Sequence, residues 1–174
     1  MLAFIVFESM LFAGLLGGYT VLRWGSATWP PAGQPYLPIA VTWLNTAILL
    51  GSCIPLIGSL RAFRRGERRP FVRGLLLASL LGTLFLAIQG FEWTRLLAHG
   101  MTVAHGTYGA IFVMLIGAHG LHVLGAVVWL SAVALLAMTG RVTPDKSAAL
   151  DTSSMYWFFV CAVWILLFAL VYLA

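Results

Sequence analysis

The sequence predicts an all-α membrane protein, a bundle of five transmembrane helices with its N-terminus in the cytoplasm and its C-terminus outside. Hydrophobic residues make up 61% of the 174 residues, and charged residues make up only 9%. Such a chain has too few polar side chains to cover the surface of a soluble domain. Its apolar residues fall into five runs, each near the ~20 residues that a membrane-spanning helix needs. We therefore expect one transmembrane domain over residues 1–174.

The predicted spans follow one another with short connections. The first, 2–22, has no basic residues ahead of its apolar run and contains Glu8, so we expect it to be retained and not cleaved as a signal peptide. The other four are 39–60, 74–97, 108–138 and 155–173. Pro55 predicts a bend in the second span, because proline removes a helix hydrogen bond. Ser153 or Ser154 is expected to cap the fifth span.

The placement of the basic residues predicts the orientation. Eight of the ten lysines and arginines lie in two loops, between spans two and three and between spans four and five: Arg61, Arg64, Arg65, Arg68, Arg69, Arg73, Arg141 and Lys146. Loops rich in lysine and arginine stay in the cytoplasm, beside anionic lipid headgroups. His99 and His105 then face outward. This arrangement accounts for the net charge of +5 without nucleic acid, which we do not expect as a partner.

Acidic and amide side chains inside the spans are the first candidates for function. Glu8 lies several residues into the first span, where an ionised carboxylate is costly unless it is paired, protonated or hydrated. Its role is either proton handling or lipid contact, or else a structural hydrogen bond. Gln89 and Glu92 share one face of the third span, and Arg95 follows Glu92 by three residues. A local ion pair between Glu92 and Arg95 is therefore the alternative to a functional role.

Two histidines lie three residues apart in the fourth span. They belong to a stripe with alternating spacings of four and three that we expect to face other helices: Tyr108, Phe112, Leu115, His119, His122, Ala126 and Trp129. Two imidazoles at this spacing can approach one small ion, but haem sites in bundles take their ligands from different elements, and no other span carries a histidine. We therefore predict no metal-binding, cofactor-binding or catalytic residue in this chain. His119 and His122 are predicted to be neutral and to hydrogen-bond to Glu92, Gln89 or backbone groups.

The stretch GTYGAIFVMLIGAHGLHVLGAVVWL resembles the YGSxFFxxTGxHGLHVxxG signature of the cytochrome c oxidase subunit III family. Four other segments resemble elements of that family in the family's order: 7–14 (SExMFFAG, although here the serine follows Glu8), 29–33 (WPPxG), 44–52 (LNTxxLLxS) and 81–93 (LGxxFxxxQxxEY). Members with five spans lack the first two helices of the common seven-helix form. This chain is similar to that shorter form.

The resemblance implies a non-catalytic accessory subunit of a respiratory haem-copper terminal oxidase in a bacterial cytoplasmic membrane. Haem and copper would belong to the catalytic subunit I, on which this chain would dock together with other oxidase subunits. Bound phospholipid and support of assembly and proton uptake during aerobic electron transport are also implied. The resemblance suggests Glu8, Gln89 and Glu92 for proton uptake or a lipid cleft, and His119, His122, Trp93 and Tyr108 for a structural polar network.

The last span departs from the family pattern. It reads YWFFVCAVW where the family usually has YWHFVDVVW, so Phe158 replaces a histidine and Cys161 an aspartate. This divergence leaves an accessory subunit of a nitric oxide reductase as an alternative. Two further hypotheses are a b-type cytochrome that uses His119 or His122, and a proton or solute carrier that uses Glu8 and Glu92. The five-span layout lacks the internal duplication typical of such carriers.

Overall fold

All regular structure in the described part of the chain is helical. The computed structural model describes residues 1–26, 28–29, 39–98, 106–143 and 147–173. The helices are α1 (Leu2–Trp24), α2 (Ile39–Gly51), α3 (Cys53–Arg64), α4 (Arg68–Ala98), α5 (Thr107–Met138) and α6 (Ala148–Leu167), which continues as a π-helical segment, Phe168–Leu173. With α2 and α3 taken together, five helical segments of 23 to 32 residues are long and apolar enough to cross a membrane. The predicted all-α class and five spans are confirmed, whereas the orientation stays a prediction.

The helices extend beyond the apolar runs that predicted them. Helix α4 begins at Arg68 rather than near residue 74, and α6 begins at Ala148 rather than near 155. Hydropathy marks only the part of a helix that lies in lipid, so polar turns at its end are missed. The predicted cap of the fifth span is wrong, because Ser153 and Ser154 lie inside α6, where both hydroxyls donate to the Leu150 carbonyl oxygen.

The bend predicted from Pro55 is a break in the second span. Helix α2 ends at Gly51 and α3 begins at Cys53. The proline ring clashes with the carbonyl four residues earlier, which is that of Gly51, so the regular helix is interrupted there. Ser52 lies at the break, and its hydroxyl accepts a hydrogen bond from the indole Nε1 of Trp157 at 3.0 Å. Helix α6 therefore holds the broken span in place.

Glycines allow α4 to approach its neighbours closely. A Cβ atom on Gly82 would lie 2.2 Å from Cη2 of Trp157, so the fully buried indole ring of α6 needs this position empty. A Cβ atom on Gly74 would lie 2.6 Å from the carbonyl oxygen of Pro55 and 2.7 Å from Cβ of Ser59, both on α3. Small residues at such crossings are typical of helices packed in membranes.

Helix α5 buries one stripe, and α1 buries few residues. Of the predicted α5 stripe, five residues are buried and two, His122 and Trp129, are half-buried, so the stripe faces other helices as predicted. Helix α1 packs on α5 and α6, and its buried residues are Glu8, Phe12 and Tyr19. The small buried face of α1 thus begins with a carboxyl group.

Candidate functional site

Glu8 of α1 and His122 of α5 share a short hydrogen bond. Nε2 of His122 lies 2.6 Å from Oε2 of Glu8, and Nδ1 lies 2.6 Å from the carbonyl oxygen of Ala118. A carbonyl oxygen only accepts, so Nδ1 must carry a hydrogen. One proton then lies between Nε2 and Glu8, in either a carboxylate–imidazolium or a carboxylic acid–imidazole pair. Both forms have no net charge, which makes the pair compatible with an apolar interior.

Most of the surface of this pair is buried. The Glu8 side chain is 9% exposed and that of His122 is 18% exposed. The ring of Phe12, one helical turn after Glu8, lies edge-on to the His122 imidazole at 5.1 Å between centroids. The pair can therefore hold one proton between α1 and α5.

The side-chain partner predicted for the histidines is wrong. A backbone partner was expected and is found for His122, but its carboxyl partner is Glu8 and not Glu92, and Gln89 bonds to neither ring. The reason is the packing of α1 against α5, which brings Glu8 to His122 although they are 114 positions apart. A single sequence shows which residues share a helix face but not which helix lies opposite.

His119 packs as an aromatic ring. It is 1% exposed, and neither ring nitrogen has a hydrogen-bond partner among the described residues. Its imidazole stacks on the indole of Trp164 with centroids 5.1 Å apart and planes 26° apart, and the rings of Phe12 and Phe85 lie edge-on to it. The hydrogen bond predicted for His119 is therefore not found in this part of the chain.

The Gln89 side chain joins α4 to two other elements. Nδ2 of Asn45, on α2, donates to Oε1 of Gln89 at 3.1 Å and to the carbonyl oxygen of Phe85 at 3.2 Å. Nε2 of Gln89 donates to the hydroxyl oxygen of Tyr172, in the π-helical segment, at 3.3 Å. Neither Asn45 nor Tyr172 was predicted as a site residue. An amide inside an apolar span was an available signal for Asn45, whereas Tyr172 sits in an apolar tail that gives none.

Glu92 forms the local ion pair predicted as one of its alternatives. Its Oε1 lies 3.3 Å from Nη1 of Arg95, and the Glu92 side chain is 11% exposed while that of Arg95 is 58% exposed. Trp93 is half-buried, and its Nε1 has no partner among the described residues. The structure thus places Glu8, Gln89 and Glu92 in three separate contacts and does not gather them into one site.

Tyr108 belongs to an aromatic cluster at one end of the bundle. The Trp29 ring lies edge-on to Tyr108 at 4.9 Å and to Tyr19 at 5.5 Å, and its Nε1 donates to the Tyr19 hydroxyl oxygen at 3.2 Å. This cluster fastens α1 to α5. Some residues named in the sequence analysis lie outside the described part of the chain: residues 30–33 of the WPPxG-like segment, His99, His105 and Lys146.

The histidines of α5 do not fit a haem or metal centre. Both nitrogens of His122 already have partners, and the ring of His119 is enclosed by aromatic side chains. In the described ranges, no group of three or more histidine, cysteine, aspartate or glutamate side chains is placed to hold a metal ion.

These contacts define a class of protein: a polytopic membrane helix bundle whose buried polar groups tie its helices together. A family model described as cytochrome c oxidase subunit III matches residues 1–174. The chain belongs to the cytochrome c oxidase subunit III family, as its sequence motifs predicted.

Named relatives agree with this membership. The chain is 34% identical over 168 residues to a probable cytochrome c oxidase subunit 3 of Mycobacterium leprae, covering 95% of this chain and 81% of that protein. It is 32% identical over 171 residues to cytochrome c oxidase subunit 3 of Synechocystis, covering 98% and 72%. Against cytochrome c oxidase subunit 3 of Danio rerio, the match is 34% over 145 residues, covering 83% of this chain and 54% of the fish protein. The chain therefore spans about half the length of that relative.

Proposed function

We propose that this chain is the non-catalytic subunit III of a haem-copper cytochrome c oxidase in a bacterial cytoplasmic membrane. The observation that carries the proposal is the family match over residues 1–174. In this role the chain docks on the catalytic subunit, which holds the haems and copper, and supports its assembly and proton supply. The relatives are named for the oxidase, which favours it over a nitric oxide reductase.

The Glu8–His122 pair supports a part in proton supply. Glu8 lies six residues after the first residue of α1, hence about 9 Å along the helix axis from that end. In the predicted orientation this is the cytoplasmic end, the side from which the oxidase would take up its protons. A proton shared between Nε2 of His122 and Glu8 therefore lies near the side of the membrane from which protons are taken up.

A groove between α4 and α5 supports the binding of a phospholipid chain. It has a volume of about 350 Å³, and its lining is almost entirely apolar, with contributions from Leu86, Trp93, Gly117, Leu121 and Leu124. The glycine leaves room for a linear alkyl chain, and the leucines provide the apolar contact that such a chain buries.

Copurification tests the proposed partner. The chain is tagged and extracted from its own membranes in mild detergent. It is expected to copurify with a larger membrane subunit that contains haem and copper, at about one copy of that subunit per copy of the tagged chain. The same chain expressed alone should show no stoichiometric haem in a reduced-minus-oxidised spectrum, because both nitrogens of His122 have partners and the ring of His119 is enclosed by aromatic side chains. Recovery with a nitric oxide reductase, or haem bound to the isolated chain, would contradict the proposal.

Replacing Glu8 with glutamine tests the proton role. Because glutamine can still hydrogen-bond to His122, the complex should assemble normally. Glutamine cannot release a proton, however, so proton supply should suffer. Its rate of oxygen consumption, or the number of turnovers before it inactivates, should fall roughly twofold to tenfold. This is less than the ~100-fold expected for a group that transfers a proton in the chemical step.

Glu67→Gln is the matched control for this experiment. It removes a carboxylate from the exposed turn between α3 and α4, so both measurements should keep their wild-type values. If Glu8→Gln leaves rate and lifetime unchanged as well, Glu8 has a structural role only.

A further inference from the structure

Two thiols that the proposed function does not use lie together where α3 passes α6. The Sγ atoms of Cys53 and Cys161 are 3.7 Å apart, and both cysteines are free. The sequence has two cysteines in all. Any disulfide formed within this chain must therefore join this pair.

A hydrogen bond beside the two thiols fixes the position of α3 relative to α6. Ser52, which precedes Cys53, accepts from the indole of Trp157, which lies one helical turn before Cys161. A disulfide needs about 2.05 Å between its sulfurs, so the two atoms must approach by roughly 1.7 Å. Cys53 is the first residue of α3, and the ends of helices adjust more readily than their interiors.

The two thiols differ in access. Cys53 is half-buried, whereas Cys161 is 3% exposed. A reagent that arrives from the lipid therefore meets Cys53 first, and Cys161 is placed behind it as the second thiol. The second thiol, 3.7 Å behind the first, is thus close enough to react with Cys53 once that sulfur is oxidised.

The depth of the pair restricts the reagent. Cys53 lies about 21 Å from the first residue of the segment Ile39–Arg64 and about 17 Å from its last residue, at roughly 1.5 Å per residue. Charged oxidants do not enter this part of a bilayer, because moving a charge into it is costly. A small neutral or lipid-soluble oxidant is required, and hydroperoxides meet this condition.

We propose that Cys53 and Cys161 form a dithiol that a hydroperoxide oxidises to an intrachain disulfide linking α3 to α6. The Cys53 sulfur attacks the peroxide, an S–O bond forms, the O–O bond breaks, and the thiol proton ends on the departing alkoxide as an alcohol. The Cys161 sulfur then attacks the Cys53 sulfenic acid, the S–S bond forms, and water leaves. Two thiols and one hydroperoxide thus give one disulfide, one alcohol and one water.

Mass spectrometry of the full chain in its native complex tests this reaction. After treatment with hydrogen peroxide, unreacted thiols are blocked with N-ethylmaleimide under denaturing conditions. Both thiols should be lost together, so that neither reacts with N-ethylmaleimide. The mass of the oxidised chain should be lower than that of the reduced chain by two hydrogen atoms. Dithiothreitol should then restore both thiols. Two alkylated thiols after peroxide treatment, or a disulfide between separate chains, would overturn the proposal.

Serine variants test the order of the two steps. In Cys161→Ser, Cys53 should stop at the sulfenic acid, which dimedone captures; in Cys53→Ser, the Cys161 thiol should stay reduced. The assigned order would be refuted if Cys161 in the Cys53→Ser variant were oxidised to the same extent as Cys53 in the Cys161→Ser variant. The wild-type measurement depends on neither variant's folding, and because it reads thiols and not turnover, its failure is distinct from a failure of the proposed oxidase function.

Discussion

Replacing His122 with leucine should lower the free energy of unfolding by about 3 kcal/mol. Leucine fills similar space but leaves Glu8, whose side chain is 9% exposed, without its partner. The carboxyl group must then either stay ionised in an apolar environment or take a proton and lack an acceptor. Unfolding of the purified chain in mixed detergent micelles, followed by far-ultraviolet circular dichroism, measures the loss.

A double-mutant cycle separates the pair from the packing around it. When both Glu8 and His122 are leucine, no polar group is left unpaired, so stability should return to within about 1 kcal/mol of the wild-type chain. The free energy of unfolding of the single variant Glu8→Leu should lie between that of the double variant and that of His122→Leu. Additive losses in the double variant would show that the two residues contribute independently and that their hydrogen bond carries no coupling.

Replacing Gly74 with alanine should destabilise the bundle by about 2 kcal/mol. The new methyl group would meet the carbonyl oxygen of Pro55 at 2.6 Å and Cβ of Ser59 at 2.7 Å. One of these atoms is backbone, so α3 and α4 must separate. The movement would also stretch the 2.7 Å hydrogen bond from the Ser59 hydroxyl to the carbonyl oxygen of Phe71. The same detergent unfolding measurement applies.

Gly90→Ala provides the control on the same helix. No atom of a neighbouring element lies within 4 Å of a Cβ placed there, so alanine adds helix propensity without a clash. Stability should rise by about 0.5 kcal/mol or stay unchanged. Equal losses at Gly74 and Gly90 would mean that the close approach of α3 and α4 does not limit stability.

Hydropathy was sufficient to place all five spans because lipid imposes a length and an apolar composition on each helix separately. The first turns of α4 and α6 were not predicted, because helical turns outside the lipid need not be apolar and hydropathy does not detect them. Pro55 located the break in the second span because its cause is local. The stabilising contact from Trp157 was not predictable, because it comes from another helix.

The candidate site shows the same division between local and long-range information. Glu8 and His122 each stood out as polar groups in apolar runs, but nothing in a single sequence states that α1 lies against α5. The ion pair between Glu92 and Arg95 was predictable because both residues lie on one helix, three positions apart. Asn45 and Tyr172 were missed because their hydrogen-bond partners lie on another helix: Asn45 donates to Gln89 and to the Phe85 carbonyl oxygen of α4, and Tyr172 accepts from Gln89.

The sparse packing of α1 sets an order of assembly. This helix leaves the ribosome before α5 and α6, the helices on which it packs, and His122 follows Glu8 by 114 residues. At typical rates of synthesis, α1 waits roughly 10 s in the membrane before that partner is made. Until then Glu8 lacks its His122 partner, and an unpaired carboxylate is costly in lipid. The bond between Glu8 and His122 can form only after α5 has been inserted, so its presence marks a bundle in which the helices from α1 to α5 are in place.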